Sequence, residues 1–281
     1  MAAANPFVDA TCVSALYQDA DRIARRTDSL HRAKTAGRPV ADVIVDLADR
    51  YLDRYRRISL AADVGCGRGS STRTLAEELD AERILGIDAS AAVLAAARQR
   101  LGHHGGKRLR WLCADFHHLP LSTAACDLVV AAFCLYHSSE PAAVVSELAR
   151  CLRPGGVAVL VTKSIDSYRS LDELVASSGL DLDACRRPSL YGSAHSGNLA
   201  SLAGRSLMVR HVEHEDHRFT FAGHAHVAEY LATNPKYTIS ASFRRDTSAL
   251  TDALRAQVPD QAVATTSQVT YVIAQKQEIA S

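Results

Sequence analysis

Between residues 59 and 178, apolar runs of strand length alternate with runs of helical periodicity, and this alternation constrains the fold more than any other feature of the chain. The strand-like runs cover 59–64, 83–88, 108–114, 127–136 and 156–163. The helical runs cover 71–79, 91–101, 141–152 and 168–178. Strands joined through helices in this way form a parallel sheet with helices on both faces, an α/β architecture.

The flanks read differently. Over 9–57 the apolar positions Val13, Leu16, Ile23 and Leu30 recur at near-helical spacing, and Gly37-Arg38-Pro39 interrupts them. A further helix follows, with Val40, Val43, Ile44, Leu47 and Leu52 on one side. Beyond the alternating region, 186–203 is rich in Ser, Gly and Pro and reads as a long loop or partial lid. Segments 206–214 and 269–276 read as strands able to form a hairpin at one sheet edge, with helical pieces at 223–233 and 246–257. The expected organisation is a helical cap over 1–57 and a core over 58–281, with a lid or substrate-recognition insertion at about 186–257.

Composition narrows the function classes. The chain has 281 residues, 47% of them hydrophobic and 22% charged, ordinary values for a globular enzyme. Lys and Arg total 32 against 31 acids, a net charge of +1, so there is no basic field for phosphate backbones. Seven cysteines, an odd number with no CxxC pair, indicate reduced thiols and a cytoplasmic setting. The N-terminal residues lack the pattern of a signal peptide, and no apolar run approaches a membrane span.

The most informative motif is Asp63-Val-Gly65-Cys66-Gly67-Arg-Gly69-Ser70, at the end of one strand and the start of a helix. Glycines there permit a tight turn and a close backbone approach to a ligand. A nicotinamide-type GxGxxG would need a third Gly at position 70, where Ser70 stands. Acidic residues end the next two strands. Asp88, followed by Ala89, can accept ribose hydroxyls, while Asp115 can accept an adenine amine with Phe116 covering the ring. Phe133-Cys134-Leu135-Tyr136-His137 follows the fourth strand and would sit beside the reacting end of the ligand.

With these four motifs in order at strand ends and Arg153-Pro154-Gly155-Gly156 turning the chain into the fifth strand, residues 59–163 resemble the class I S-adenosylmethionine-dependent methyltransferases, of the small-molecule type with an N-terminal helical cap. The resemblance implies a Rossmann-like, seven-stranded, mostly parallel sheet of order 3-2-1-4-5-7-6, its seventh strand antiparallel. It also implies that Asp63, Gly65, Cys66, Gly67 and Gly69 form the loop that cradles the methionine part of the cofactor. Asp88 and Ala89 would hold the ribose, Asp115 and Phe116 the adenine, and the Cys134 backbone the amino group. Tyr17 and Arg26 lie in helices that often close over the cofactor carboxylate in such proteins; a surface or helix-pairing role is the alternative for each.

Methyl transfer from a sulfonium is an in-line displacement in which positioning supplies most of the rate. A base is needed only where the acceptor must lose a proton. His137 is the candidate base, with capping or packing as its alternative, and His195 in the loop 191–198 is the second candidate. His211, His214 and His217 sit among acids, but strand alternation puts His211 and His214 on opposite faces, so no metal site is expected. His103-His104 and His117-His118 read as solvated loop residues, and Asn234-Pro-Lys-Tyr237 as a chance likeness to an adenine N6-methyltransferase signature. The expected activity is methylation of O, N or C on a small molecule, in natural-product metabolism. RNA methylation and non-transferring S-adenosylmethionine binding are the alternatives.

Overall fold

The computed structural model describes residues 5–53, 57–102 and 108–278. By their internal packing these residues divide into two compact units. One comprises residues 5–37, 164–192 and 215–268, the other the described residues between 38 and 163 together with 193–214 and 269–278.

The second unit holds the alternating region as far as residue 163. Its elements are α3 (Val40–Tyr51), β2 (Ile58–Val64), α4 (Ser70–Glu78), β3 (Ala81–Asp88), α5 (Ala91–Leu101), β4 (Leu109–Cys113), β5 (Cys126–Ala132), α6 (Pro141–Cys151) and β6 (Leu152–Lys163). β4, β3, β2, β5 and β6 pair in parallel, and β8 (Val263–Gln275) joins β6 antiparallel through Lys163↔Val269 to Val157↔Gln275. The central strands β5 and β6 are buried on both faces, which is why they read as unbroken apolar runs. Helix α3 packs Val43, Ile44 and Leu47 into the same apolar cluster as Leu75, Leu128, Val159 and Tyr271.

With β1 (Lys34–Ala36) and β7 (Met208–Phe221) added, the full sheet order is β1-β7-β8-β6-β5-β2-β3-β4. Seven of these strands reproduce the expected order, the adjacent late pair included. The eighth, β1 (Lys34–Ala36), falls in a stretch expected to be helical. It pairs antiparallel with β7 (Met208–Phe221) through Lys34↔Phe219 and Ala36↔Arg218, and Gly37 at φ +100 turns the chain over the His217 ring, where a side chain would collide.

Three more differences have local causes. β5 stops at Ala132 rather than continuing to 136, because Phe133 takes a left-handed φ of +57. Leu135–His137 then forms a single 3₁₀ turn. β7 and β8 are longer than their apolar runs, since β7 is polar along one face and keeps its alternation to Phe221. The segment 186–203 is not loop throughout: it ends in the short helix α8 (Leu199–Ala203).

The first unit contains α1 (Ala10–Gln18), α2 (Ala20–Ala33), α7 (Arg169–Ser177), α9 (His224–Thr233), α10 (Ala241–Arg245) and α11 (Thr247–Arg255). Its aromatic core is Tyr168, Phe219, Phe221 and Tyr230. Buried Asp172 accepts from Lys236 (2.6 Å) and from the Tyr237 hydroxyl (2.8 Å). Residues 234–237 thus follow a helix, α9, rather than a strand, and hold Asp172. Among the described residues, no helix is long and apolar enough to cross a membrane.

One buried ion pair braces the start of the parallel sheet. Asp127 on β5 accepts from the Ser59 and Leu60 amides (2.8 and 3.1 Å) and pairs with Arg153. Burial alone would raise its carboxyl, but the guanidinium and the two amides outweigh it and hold it below the usual range. Asp127→Ala leaves Arg153 buried without its charge partner and should cost about 3–5 kcal/mol of stability. A urea midpoint lowered at unchanged m value is the expected result; a loss under about 1 kcal/mol would show that the pair does not brace the sheet.

Candidate active site

The loop between β2 and α4 is built from three left-handed residues. Gly65, Gly67 and Gly69 have φ of +69, +54 and +76, a region that L side chains avoid. Each has its own local reason. A Cβ on Gly65 would strike the Cβ of Cys134, one on Gly69 would meet the Trp111 ring at 3.1 Å, and one on Gly67 would meet nothing within 4 Å. The loop therefore packs tightly at both ends and faces open space at Gly67, the arrangement a backbone cradle for a ligand requires. Trp111, on β4, supports it from below: its ring lies where a Cβ on Gly86 would come within 2.6 Å.

Two carboxylates flank this loop. Asp88, ending β3, accepts from the Gly67 amide (3.0 Å) on Oδ2 and from the Ser90 amide (2.9 Å) on Oδ1. Each oxygen retains lone-pair capacity, so the carboxylate is oriented yet able to accept two hydroxyls. Burial raises its pKa, and the loop amides oppose that. Asp63 lies under the loop at 1% exposure and accepts from the Thr72 hydroxyl at 2.6 Å. Its burial pushes the carboxyl up to about 7. Cys66 donates its amide to the Ile87 carbonyl (2.9 Å), and burial pushes its thiol up.

The next strand ends complete the arc. Ala89 follows Asp88, and its carbonyl lies 3.5 Å from the Cys113 thiol. After β4, Asp115 is largely exposed, and Phe116 stands edge-on to His117 with ring centroids 4.7 Å apart. Burial would raise the Asp115 carboxyl, but the backbone and ring N–H groups of His117 outweigh it and hold it below the usual range. After β5, the buried Cys134 thiol bonds the Val64 carbonyl at 3.3 Å, so this turn lies against the glycine loop. His137 is half-buried on the same 3₁₀ turn, its amide donating to the Cys134 carbonyl (2.9 Å) and its ring 4.7 Å from that of Tyr136.

His195 belongs to the same unit. Its loop hangs from the end of β6, through the Thr162 hydroxyl to the Ala194 carbonyl (2.7 Å) and the Ser196 amide to the Lys163 carbonyl (3.1 Å). His195 Nδ1 accepts the Gly197 amide (3.1 Å), which leaves the neutral ring its proton on Nε2. Burial lowers its pKa. The ring thus presents a donor at Nε2. Tyr17 on α1 and Arg26 on α2 belong to the other unit, where the Arg26 guanidinium lies 5.7 Å from the centre of the Phe7 ring.

The remaining histidines divide. His211 stacks on Tyr51 and His214 bonds the Thr270 hydroxyl (2.8 Å), on opposite faces of β7 as alternation requires. Among the described residues, no group of three or more His, Cys, Asp or Glu is placed to hold a metal. His103 and His104 lie outside the described residues. His117 is not simply solvated: both ring nitrogens are bonded, Nδ1 to Asp115 (2.8 Å) and Nε2 to Ser138 (2.9 Å). The available signal was its spacing, two residues beyond an acid that can accept its amide.

Residues 62–160 match the family model described as a methyltransferase domain. The chain is 31% identical over 138 residues to a malonyl-[acyl-carrier protein] O-methyltransferase of Legionella pneumophila, covering 47% of each chain. It is 36% identical over 114 residues to a trans-aconitate 2-methyltransferase of Azoarcus sp., covering 40% of this chain and 43% of that one. In each case the match spans a little under half of the relative's length. Among solved structures, the [4+2]-cyclase SpnF shares the fold at a TM-score of 0.59 and 18% identity, over 99% of this chain and 98% of that one.

Asp63 supplies a test of the site's electrostatics. A carboxyl raised to about 7 in the folded state binds its proton more tightly there than when unfolded. Its effect is therefore to lower stability as pH rises from about 4 to about 7. Asp63→Asn removes that titration. The variant should gain thermal stability relative to the parent on going from pH 5 to pH 8; parallel melting profiles across that range would refute the raised carboxyl.

Proposed function

We propose that this chain, whose residues 62–160 match a methyltransferase domain, is a class I S-adenosylmethionine-dependent enzyme that transfers a methyl group from S-adenosylmethionine to an O, N or C atom of a small-molecule acceptor in natural-product metabolism. The observation that carries the reading is the left-handed glycine loop whose Gly67 amide is bonded to Asp88, with open space at Gly67. The small-molecule acceptor rests on the near-neutral charge of the chain and on the small acyl and acid groups named for two relatives, the malonyl group of malonyl-[acyl-carrier protein] and trans-aconitate.

S-adenosylmethionine supplies an activated methyl group on a cationic sulfonium and departs as S-adenosylhomocysteine. The residues of this chain have the tasks of binding, orienting and excluding water. The loop Gly65–Cys66–Gly67–Gly69 offers its backbone to the methionine portion, and the Cys134 backbone closes the amino end. Asp88, already oriented by two amides, receives the ribose hydroxyls; Asp115 and Phe116 take the adenine. Buried Asp63 bonds the Thr72 hydroxyl beneath the loop, and a cationic ligand nearby would favour ionisation of its raised carboxyl.

Whether a base acts depends on the acceptor. His137, beside Cys134, is the proposed base for an acceptor that must lose a proton. His195, with its proton on Nε2, is better suited to donating a hydrogen bond to the acceptor than to taking its proton.

The ligand is tested first. S-adenosylhomocysteine should raise the melting temperature while NAD leaves it unchanged, and Asp88→Ala should weaken its binding by roughly 1.5–3 kcal/mol in calorimetry. Equal affinity in the variant would remove Asp88 from the site. Transfer is then read by mass spectrometry as the added methyl on trans-aconitate or a malonyl thioester. Absence of any methylated product, with S-adenosylhomocysteine still bound, would favour a non-transferring role of the kind the cyclase fold accommodates. For an acceptor found in this way, His137→Ala should lower turnover by about 10²–10⁴-fold with cofactor affinity retained. A loss under about tenfold with an unchanged pH profile would leave His137 a packing residue.

A further inference from the structure

The least expected side-chain arrangement in the sheet unit joins two strand ends. His117 follows β4 and Ser138 follows the 3₁₀ turn after β5, and a short chain of hydrogen bonds runs from one to the other and on to Asp115. Asp115 Oδ1 accepts both the His117 backbone amide (2.9 Å) and the His117 ring at Nδ1 (2.8 Å). Its Oδ2 has no partner among the described residues. The ionised carboxylate is an acceptor only, so Nδ1 carries the proton, and Nε2 of the neutral ring accepts the Ser138 hydroxyl at 2.9 Å. Ser138 Oγ accepts in turn from the Glu140 amide (2.9 Å), and the Ser138 amide donates to the Leu135 carbonyl (3.1 Å).

The order Asp–His–Ser is that of a nucleophilic triad, but the geometry assigns it another task. Ser138 is 1% exposed, and its oxygen is fixed by a backbone donor, so no substrate carbonyl can reach it. The exposed member is Asp115, with a side chain 60% accessible. An exposed carboxylate samples several rotamers, and a ligand that needs one of them must order it on binding. Here the ordering is already done by a histidine that is itself anchored to a buried serine.

We propose that His117 is a positioning residue: it fixes Asp115 Oδ1 so that Oδ2 faces the adenine amino group, and through Ser138 it couples that carboxylate to the turn bearing Cys134 and His137. The proposal rests on the reading of Asp115 as the adenine carboxylate. Its edge contact with Phe116 extends the same control to the residue that covers the ring. The chemical consequence is base discrimination. An oriented carboxylate oxygen attracts the amino group of adenine and repels the carbonyl of hypoxanthine, and a freely rotating one distinguishes them less well.

The experiment measures binding of S-adenosylhomocysteine and of its hypoxanthine counterpart, S-inosylhomocysteine, by calorimetry. The proteins are the parent, His117→Ala, His117→Gln and His117→Asn, with melting temperatures confirming that each is folded. Asparagine places its amide nitrogen near the position of Nδ1 and keeps the bond to Asp115; glutamine places its own nearer Nε2 and does not. The parent and His117→Asn should prefer the adenine ligand, and His117→Ala and His117→Gln should lose about tenfold or more of that preference. Undiminished preference in His117→Ala and His117→Gln overturns the positioning role, as does an equal loss in all three variants, which would mark the residue as structural only. A parent that binds the two ligands equally overturns the adenine reading of Asp115 and this proposal with it. A parent that binds neither removes the cofactor assignment itself.

Discussion

The hydrogen bond from the Gly67 amide to Asp88 joins the loop after β2 to the end of β3, and the geometry of the site depends on it. In a parallel sheet every strand delivers its C-terminal end to the same edge, so ligand-binding loops gather there without any long-range design. What the sheet alone does not do is orient them. The three left-handed glycines curl the loop back over the strand ends, and the Asp88 carboxylate holds it there while itself being turned to a defined direction. Trp111 fills the volume that Gly86 and Gly69 leave open, so the flexible residues of the motif rest on a rigid ring.

The site stores polar groups in a dry environment. Asp63, Cys66 and Cys134 are all buried, and burial opposes ionisation in each. Their role contrasts with that of Asp127, also buried but paired with Arg153 and kept ionised. Asp127 braces the sheet; Asp63 keeps a carboxyl under the loop, bonded to Thr72 and facing no guanidinium of its own. A poorly hydrated surround strengthens any later interaction with charge, which suits a ligand that arrives as a cation.

The strand ends were legible because each motif residue stands at the change from one periodicity to the other. Asp63, Asp88 and Asp115 each close or follow an apolar run, and the alternation of runs fixes their common edge. The early end of β5 was not legible, because Phe133, Leu135 and Tyr136 are apolar and continue the pattern while the backbone has already turned at Phe133. β1 was missed for a related reason: three residues are too few for any period, and their extended form is imposed by pairing with Phe219 and Arg218, nearly two hundred residues away. His117 and His195 were ambiguous as letters. Only their hydrogen bonds decide which nitrogen carries the proton, and those come from Asp115 and Ser138 in one case and Gly197 in the other.

The sequence by itself determined the order of elements, the parallel core and the identity of the residues at its C-terminal edge. Those properties follow from local periodicity and from glycine's access to left-handed backbone, both of which are written in consecutive residues. The tertiary structure alone decided how the carboxylates are aimed, which of them is dry, and which histidine is bonded at both nitrogens. Those properties arise where residues distant in the chain share a donor, an acceptor or a desolvated volume, as Gly67 does with Asp88 and His117 with Ser138. Hydrogen-bond direction and desolvation depend on position in space, and no spacing along the chain encodes them.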